Sequence, residues 1–353
     1  MTYAPSKQPS AQIKATEIPN PILFNRSNWG HILLTGADRV RFLHNQTTQN
    51  IEQLSENQGA HTVFVTSTGR TIDLTTVYAQ ADALHVVTSP EMAKPLYDWM
   101  DRYIFFSDKV TLADQSEQAF MFTLVGAGSD EIARQIGAED LIDKAEFTHQ
   151  QISVAGIELS IAVGSDLAIA GYTLWGVGGA SPEENRAQAK TIQQALLAAG
   201  AKAGTAEQWE DLRIRQGRPM PGKELTEDDN PLEAGLWPTV SFEKGCYIGQ
   251  ETIARLNTYK GVKKRLWGLI LKNAVAVGET VWLGEDKIGK VTSVTEAPAS
   301  SHSDSTSHPF ALAYLRTKAG GEGLTVTVDT AEAEVVALPF VTHQYPAATE
   351  ATA

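Results

Sequence analysis

KGCYIGQE, residues Lys244 to Glu251, contains the only cysteine of the 353-residue chain. Gly245 and Gly249 bracket the thiol. Glycine permits positive φ and close backbone approach, so the stretch reads as a shaped turn that presents a side chain. Lys244 stands two positions before Cys246, where an ammonium would favour the thiolate, the reactive form of cysteine. The same residues also fit a small apolar side chain buried in a tight turn. Tyr247 reads as a packing or stacking aromatic. Gln250 and Glu251 read as groups that hydrogen-bond the turn.

The chain changes character on either side of this motif. Upstream, residues 218–250 carry prolines at 219, 221, 231 and 238 and predict an irregular segment. A loop of that length inside a domain usually has a role of its own. Its Leu232, Leu236, Trp237 and Phe242 predict that it packs. Downstream, Arg255, Lys260, Lys263, Lys264 and Arg265 form a basic run in a chain of net charge -13. That run is either a solvated strand flank or a patch for an anionic group. Short strands follow over 266–271, 280–282, 287–295, 310–314, 324–328 and 334–337, which predicts a small β-barrel. Residues 297–309 form a polar loop within it. His302 and His308 lack a third ligand spaced with them, so no metal site is expected there.

Toward the N-terminus a pattern occurs twice. Trp29–Leu34 reads as a strand, with Gly36 and a helix after it; Phe120–Val125 reads as a strand, with Gly126 and a helix after it. Ser89-Pro90-Glu91 and Ser181-Pro182-Glu183 each predict a helix start, with serine as N-cap and proline at the first helical position. Strands are predicted at 63–65, 72–78, 84–87 and 172–175, and a hairpin over 152–163 around Gly156. A helix over 206–217 turns Trp209, Leu212 and Ile214 inward and stops at Gly217. The recurrence predicts two similar α+β halves. The segment Gly176-Val177-Gly178-Gly179-Ala180-Ser181 lacks the third glycine and the βαβ setting of a dinucleotide-binding turn.

Composition narrows the function. With 42% hydrophobic and 20% charged residues this is an ordinary globular chain long enough for two or three domains. Its negative charge excludes a globally basic nucleic-acid footprint, so direct RNA binding is not expected. One cysteine excludes an internal disulfide, fits a reducing compartment, and rules out an iron–sulfur site with several thiolates from this chain alone. No apolar run reaches the ~18–20 residues that span a bilayer. Residues 1–14 lack the apolar centre of a secretory signal and are short and arginine-poor for a transit peptide. A cytoplasmic location is expected, with an organelle stroma or matrix second. Residues 1–24 and 346–353 are expected to be flexible ends.

The motif resembles the hallmark of the YgfZ family of folate-binding proteins, relatives of the glycine-cleavage T-protein, an aminomethyltransferase. The resemblance extends over roughly residues 25–345. Gly36–Arg39 matches the family's GADR-like helix start, Lys287–Ser293 a barrel tract, and Leu338–Val341 its closing segment. The resemblance implies an α+β fold: a folate-binding region of two related halves, 25–115 and 116–260, the second ending in the motif, then a β-barrel over 261–345. It implies tetrahydrofolate or a one-carbon derivative as cofactor. Tyr172 matches a tyrosine that packs on folate, and Arg213 matches an arginine that contacts it. Tyr247, Gln250, Glu251 and Glu233, the last in a Pro-x-Glu segment, are further candidate contacts. Gly179 stands where T-proteins place the glutamate that reads the pterin. In the stretch Ile72-Asp73-Leu74-Thr75, Leu74 stands where they place the catalytic aspartate. The resemblance therefore implies a kept folate fold without aminomethyl transfer. It implies a role in assembling or repairing iron–sulfur clusters in client enzymes, including tRNA-thiomethylating ones, with Cys246 as functional thiol tuned by Lys244. A working one-carbon transferase is the alternative.

Overall fold

Strand-forming residues recur in two clusters before residue 180 and one after 263, and each closes into its own sheet. The computed structural model describes residues 18–179, 181–295 and 308–345. Chain order opens with β1 (Ile22–Asn25), β2 (Gly30–Thr35), α1 (Arg39–Gln46), β3 (Gly59–Val65), β4 (Thr71–Ala79), β5 (Ala83–Thr88), α2 (Ala93–Asp101) and β6 (Thr111–Asp114). It continues through β7 (Ala119–Val125), α3 (Ser129–Gln135), β8 (His149–Val154), β9 (Ile157–Val163), β10 (Gly171–Val177), α4 (Pro182–Ala198), β11 (Lys202–Ala203), α5 (Ala206–Gln216) and α6 (Gln250–Thr258). The first sheet runs β3-β4-β5-β2-β6 and the second β11-β1-β7-β10-β9-β8.

Both sheets are buried on two faces, which is why their strands read as nearly unbroken apolar runs. Outward, Phe42 and Leu43 of α1 and Leu96 and Met100 of α2 pack with Ile32, Phe64, Val77 and Val86. The second sheet repeats this: Ile132 of α3 and Ile192 and Leu196 of α4 cover Phe122, Leu124 and Leu174. Inward, Tyr78 and Val87 of the first sheet meet Met121, Ala162 and Trp175 of the second. The layers are thus helix, sheet, sheet, helix. Of the stretch 1–24 expected to be flexible, residues 18–24 pack on the fold: Ile18 is buried, and β1 pairs antiparallel with β7, inside the second half.

The barrel is antiparallel and closed in the order β12-β15-β14-β13-β16-β17, from Lys264–Leu271, Thr280–Leu283, Asp286–Val294, Phe310–Arg316, Thr325–Val328 and Ala331–Val336. Most of the polar loop 297–309, including His302, lies outside the described residues. Helix α5 is capped by a Thr205–Gln208 capping box and stopped by Gly217 in the left-handed region. Its Leu212 packs on the second half and its Ile214 on the barrel, so it rivets the two.

Residues 225–262 pack away from the expected place. Leu232, Leu236, Trp237, Val240, Tyr247 and Ile253 cluster with Val63, Val65 and Leu74 of β3 and β4. The segment that carries the motif therefore docks on the first half, although in sequence it follows the second.

Candidate functional site

The motif crosses the C-terminal end of α1. Lys244 is buried, and its Nζ donates to the carbonyls of His44 (2.5 Å), Thr47 (2.7 Å) and Gln49 (2.8 Å). Carbonyls at a helix end lack intrahelical partners and carry partial negative charge, so a cation there is well placed. The amine also lies 4.8 Å from the Tyr247 ring centroid. Burial pushes its pKa down to about 7, with the Glu52 carboxylate opposing. Its donors go to backbone carbonyls, so Lys244 anchors the loop. Tyr247 is buried in the segment's own cluster, and burial pushes its phenol above the ordinary range.

Gly249 fixes the other end. Its φ is +81°, and a Cβ there would stand 2.5 Å from the Thr66 carbonyl oxygen and 3.1 Å from Gly69 Cα. The start of α6 is thereby pressed onto the β3–β4 turn. Helix α6 carries Arg255, the first residue of the basic run that reads in sequence as a solvated strand flank or an anion patch. Gln250 opens it, half-buried, and Glu251 lies exposed in its first turn, where a carboxylate favours the helix dipole. Between the two anchors Cys246 is exposed. The structure brings Lys244, Cys246, Tyr247, Gln250 and Glu251 together because they are contiguous.

The other expected contacts do not join them. Tyr172 lies in the helix-covered core of the second half, 3% exposed, and its hydroxyl donates to Asp130 at 2.7 Å. That ring is not open to a ligand. Arg213 is fully buried: Nε and Nη2 reach Glu210 (2.8 and 2.5 Å), Nη1 reaches Glu224 (3.0 Å), and Nη2 also donates to Ser293 (2.8 Å). The guanidinium ties α5 to the 218–230 segment and the barrel. Gly179 has no room for the missing glutamate, since a Cβ would meet Asn185 N of α4 at 2.6 Å. Glu233 is buried and accepts from the Asn230 N–H at 3.3 Å, closing its own turn. Desolvation raises its pKa against the pull of Lys264. Of the basic run, Lys264 pairs with Asp229 at 2.6 Å. These residues do not converge on a folate cradle.

Asp73 is fully buried and accepts from Ser89 N–H (2.9 Å) and Ser89 Oγ–H (2.6 Å). Burial raises its pKa to about 7 although both donors oppose this. Leu74 packs with Val63, Leu232 and Tyr247. No acid stands at Leu74.

A buried ionic knot escaped the sequence reading. Asp166 accepts from Arg26 (2.6 Å), lies 3.0 Å from Arg218 Nη2, and bonds His61 Nε2 (2.7 Å). Burial alone would raise its pKa, but Arg218 and Arg26 outweigh it and hold the carboxyl far below the ordinary range. Trp29 lies 3.6 Å from one guanidinium and 4.6 Å from the other. The knot joins β1's end, β3, the loop before β10 and residue 218.

Paired α+β halves and a closed barrel define a chain of the T-protein type. The protein belongs to the glycine cleavage T-protein family: the GCVT N-terminal domain matches residues 18–244 and the glycine cleavage T-protein C-terminal barrel domain residues 264–342. It is 40% identical over 327 residues to an Arabidopsis thaliana protein named "Putative transferase At1g60990, chloroplastic", covering 92% of this chain and 72% of that one. An aminomethyltransferase of Caldanaerobacter subterraneus is 30% identical over 281 residues, covering 76% and 72%. The glycine cleavage system aminomethyltransferase T of Bartonella henselae shares the fold, with a TM-score of 0.77 at 18% identity over 92% and 88% of the two chains. Among the described residues no helix is long and apolar enough to cross a membrane.

Proposed function

We propose that this protein is a YgfZ-type accessory protein that supports the assembly or repair of iron–sulfur clusters in client enzymes by presenting Cys246 to them. The observation that carries the reading is the loop itself: Lys244 is locked to three carbonyls, Gly249 is pressed on a neighbouring turn, and the thiol between them stands exposed. A purely structural cysteine is usually buried. One thiolate supplies a single ligand or a redox contact, so the partner provides the rest of any cluster site. Tetrahydrofolate belongs to this reading through the family, which binds it. Tyr172, Arg213 and Gly179 do not fit a folate site in this chain, and no step is assigned to the ligand. The accessory reading is favoured over the transferase alternative by the packing of Leu74 among apolar side chains and the hold of Ser89 on Asp73.

The test is complementation of a strain lacking the protein, read as activity of an iron–sulfur tRNA-thiomethylating enzyme. Cys246→Ser is expected to fold normally and to lose support. Full rescue by that variant removes the thiol reading. Anaerobic calorimetric titration with tetrahydrofolate, run alongside, decides whether the family ligand is retained.

A further inference from the structure

Sheet register collects positive charge on one outer face of the barrel. In β15, Leu315 joins the barrel core, so Tyr314 and Arg316 face away from it. Across the ladders, Arg316 stands opposite Lys264 of β12, and Tyr314 stands opposite Lys290 of β14. Like charges set directly opposite each other destabilise a sheet. Asp229 relieves only one member of that pair, by its 2.6 Å contact with Lys264. The segment that follows α5 roofs this face. It is tied down by the Tyr314 hydroxyl, which donates to the Glu224 carbonyl at 2.7 Å. Between roof and barrel lies a cavity of about 480 Å³. Sites of that size hold small molecules. Five cations line it, Lys223, Lys264, Lys287, Lys290 and Arg316, against the two acids Asp228 and Asp229. Lys223 is taken by Glu210 at 2.5 Å and Lys264 by Asp229. Among the described residues, Lys287, Lys290 and Arg316 pair with no carboxylate. In a chain of net charge -13, three unpaired cations around one concave space concentrate a positive field there.

We propose that this barrel cavity binds a small phosphorylated molecule of two or more negative charges, held by Lys287, Lys290 and Arg316. Lysine serves phosphate as a point charge, whereas recognition of a planar carboxylate favours the paired nitrogens of arginine. Two of the three unpaired cations are lysines. Their combined charge matches a phosphate-rich group better than a single carboxylate. The roof over the cavity suits a small molecule, whereas a nucleic-acid strand needs an open basic stripe. A bound polyanion would also offset the repulsion between Arg316 and Lys264, so occupancy should stabilise the barrel. None of the lining residues belongs to the motif at 244–251, and none is Tyr172, Arg213 or Glu233. The site is therefore independent of the thiol, and it stands or falls apart from the accessory reading.

The probe is inorganic pyrophosphate, titrated calorimetrically into the intact chain at low salt and without divalent cations. One site is expected, with an affinity that falls as salt is added and a thermal midpoint that rises with pyrophosphate. Lys290 and Arg316 are exposed, so their neutral variants should fold. Lys290→Gln and Arg316→Gln should each weaken binding roughly three- to tenfold. Lys202→Gln removes the same charge from exposed β11 of the second half and should stay within about twofold. Equal weakening in all three variants would make the effect one of net charge and overturn the site. So would the lack of any heat or midpoint shift up to about 1 mM pyrophosphate. Citrate, a polycarboxylate of similar charge, is the second arm: if it binds as tightly as pyrophosphate, the assignment to phosphate fails. A single-stranded RNA that binds more tightly than pyrophosphate, and loses that binding in Lys290→Gln and Arg316→Gln, would overturn the assignment to a small molecule.

Discussion

Arg213 meets Glu210, Glu224 and Ser293 with all three guanidinium nitrogens, so an incoming carboxylate finds no free donor there. Arg213→Ala would leave Glu224 fully buried without its cation, although Ser293 and the Met220 N–H still donate to it. Breaking a buried pair from one side costs about 3–5 kcal/mol. We expect a loss of that size in urea denaturation. A loss of well under 1 kcal/mol, with tetrahydrofolate affinity falling instead, would restore Arg213 to a ligand role. The residue type was legible in the sequence; its partner was not, because Ser293 lies 80 residues away in the barrel. Tyr172 failed for a related reason. Alternation along β10 puts Tyr172 and Leu174 on one face and Trp175 on the other, but the local pattern does not say which face meets helices and which meets the other sheet. The motif was legible as a turn because its anchors lie within it. His44, some 200 residues earlier, was invisible for want of any periodicity linking it to Lys244.

Secondary elements show the same competition between local and distant partners. Ser181-Pro182-Glu183 starts α4 as its sequence predicts, with Ser181 Oγ accepting from the Glu184 N–H. Ser89-Pro90-Glu91 has the same chemistry, yet α2 begins only at Ala93 and Glu91 has a φ of +66°. The buried carboxylate of Asp73 takes both the N–H and the O–H of Ser89, which ties that side chain to β4, and α2 starts without a side-chain cap. The barrel was readable strand by strand, since each strand alternates over one small core. Helix α6 was hidden because Arg255 and the basic residues after the helix resemble a strand flank and its start is fixed by contact with the β3–β4 turn. That contact gives an element-level prediction. Gly249→Ala forces a side chain into the left-handed region against the Thr66 backbone and should cost about 1–3 kcal/mol. Gly245→Ala meets only the His44 ring, at ordinary contact distance, and should change stability by less than about 0.5 kcal/mol. Thermal unfolding of both variants checks the contrast. Equal losses would mean that α6 is not seated on that turn.

Across the whole molecule, the junctions between layers are built from histidines that burial keeps neutral. His31 Nδ1 and His85 Nε2 lie 2.8 Å apart between the sheets, and the His85 ring stacks on Trp175 beside Tyr78 and His149. On the barrel, His343 bonds the Leu266 carbonyl at 2.7 Å against Trp267. Desolvation lowers His31 to about 3 and His343 to about 4, and it lowers His149 and, further still, His85. In the unfolded chain each titrates near ~6.5. Between that value and about 4 the unfolded chain takes up protons that the folded one refuses, so stability falls as the pH drops. Asp73 acts in the opposite sense. Its folded pKa of about 7 exceeds the ordinary 3.8, so its contribution falls as the pH rises through that interval. Five lowered histidines, His44 among them, outweigh the three raised carboxyls Asp73, Glu146 and Glu233. The denaturation midpoint at pH 5 should therefore lie below that at pH 7.5, with net proton uptake on unfolding. Asp73→Asn, which removes one opposing group, should steepen the decline. Stability that stays level from pH 7.5 to 5 would mean that these rings are protonated in the folded protein, and the two halves could not then be joined by a neutral aromatic layer.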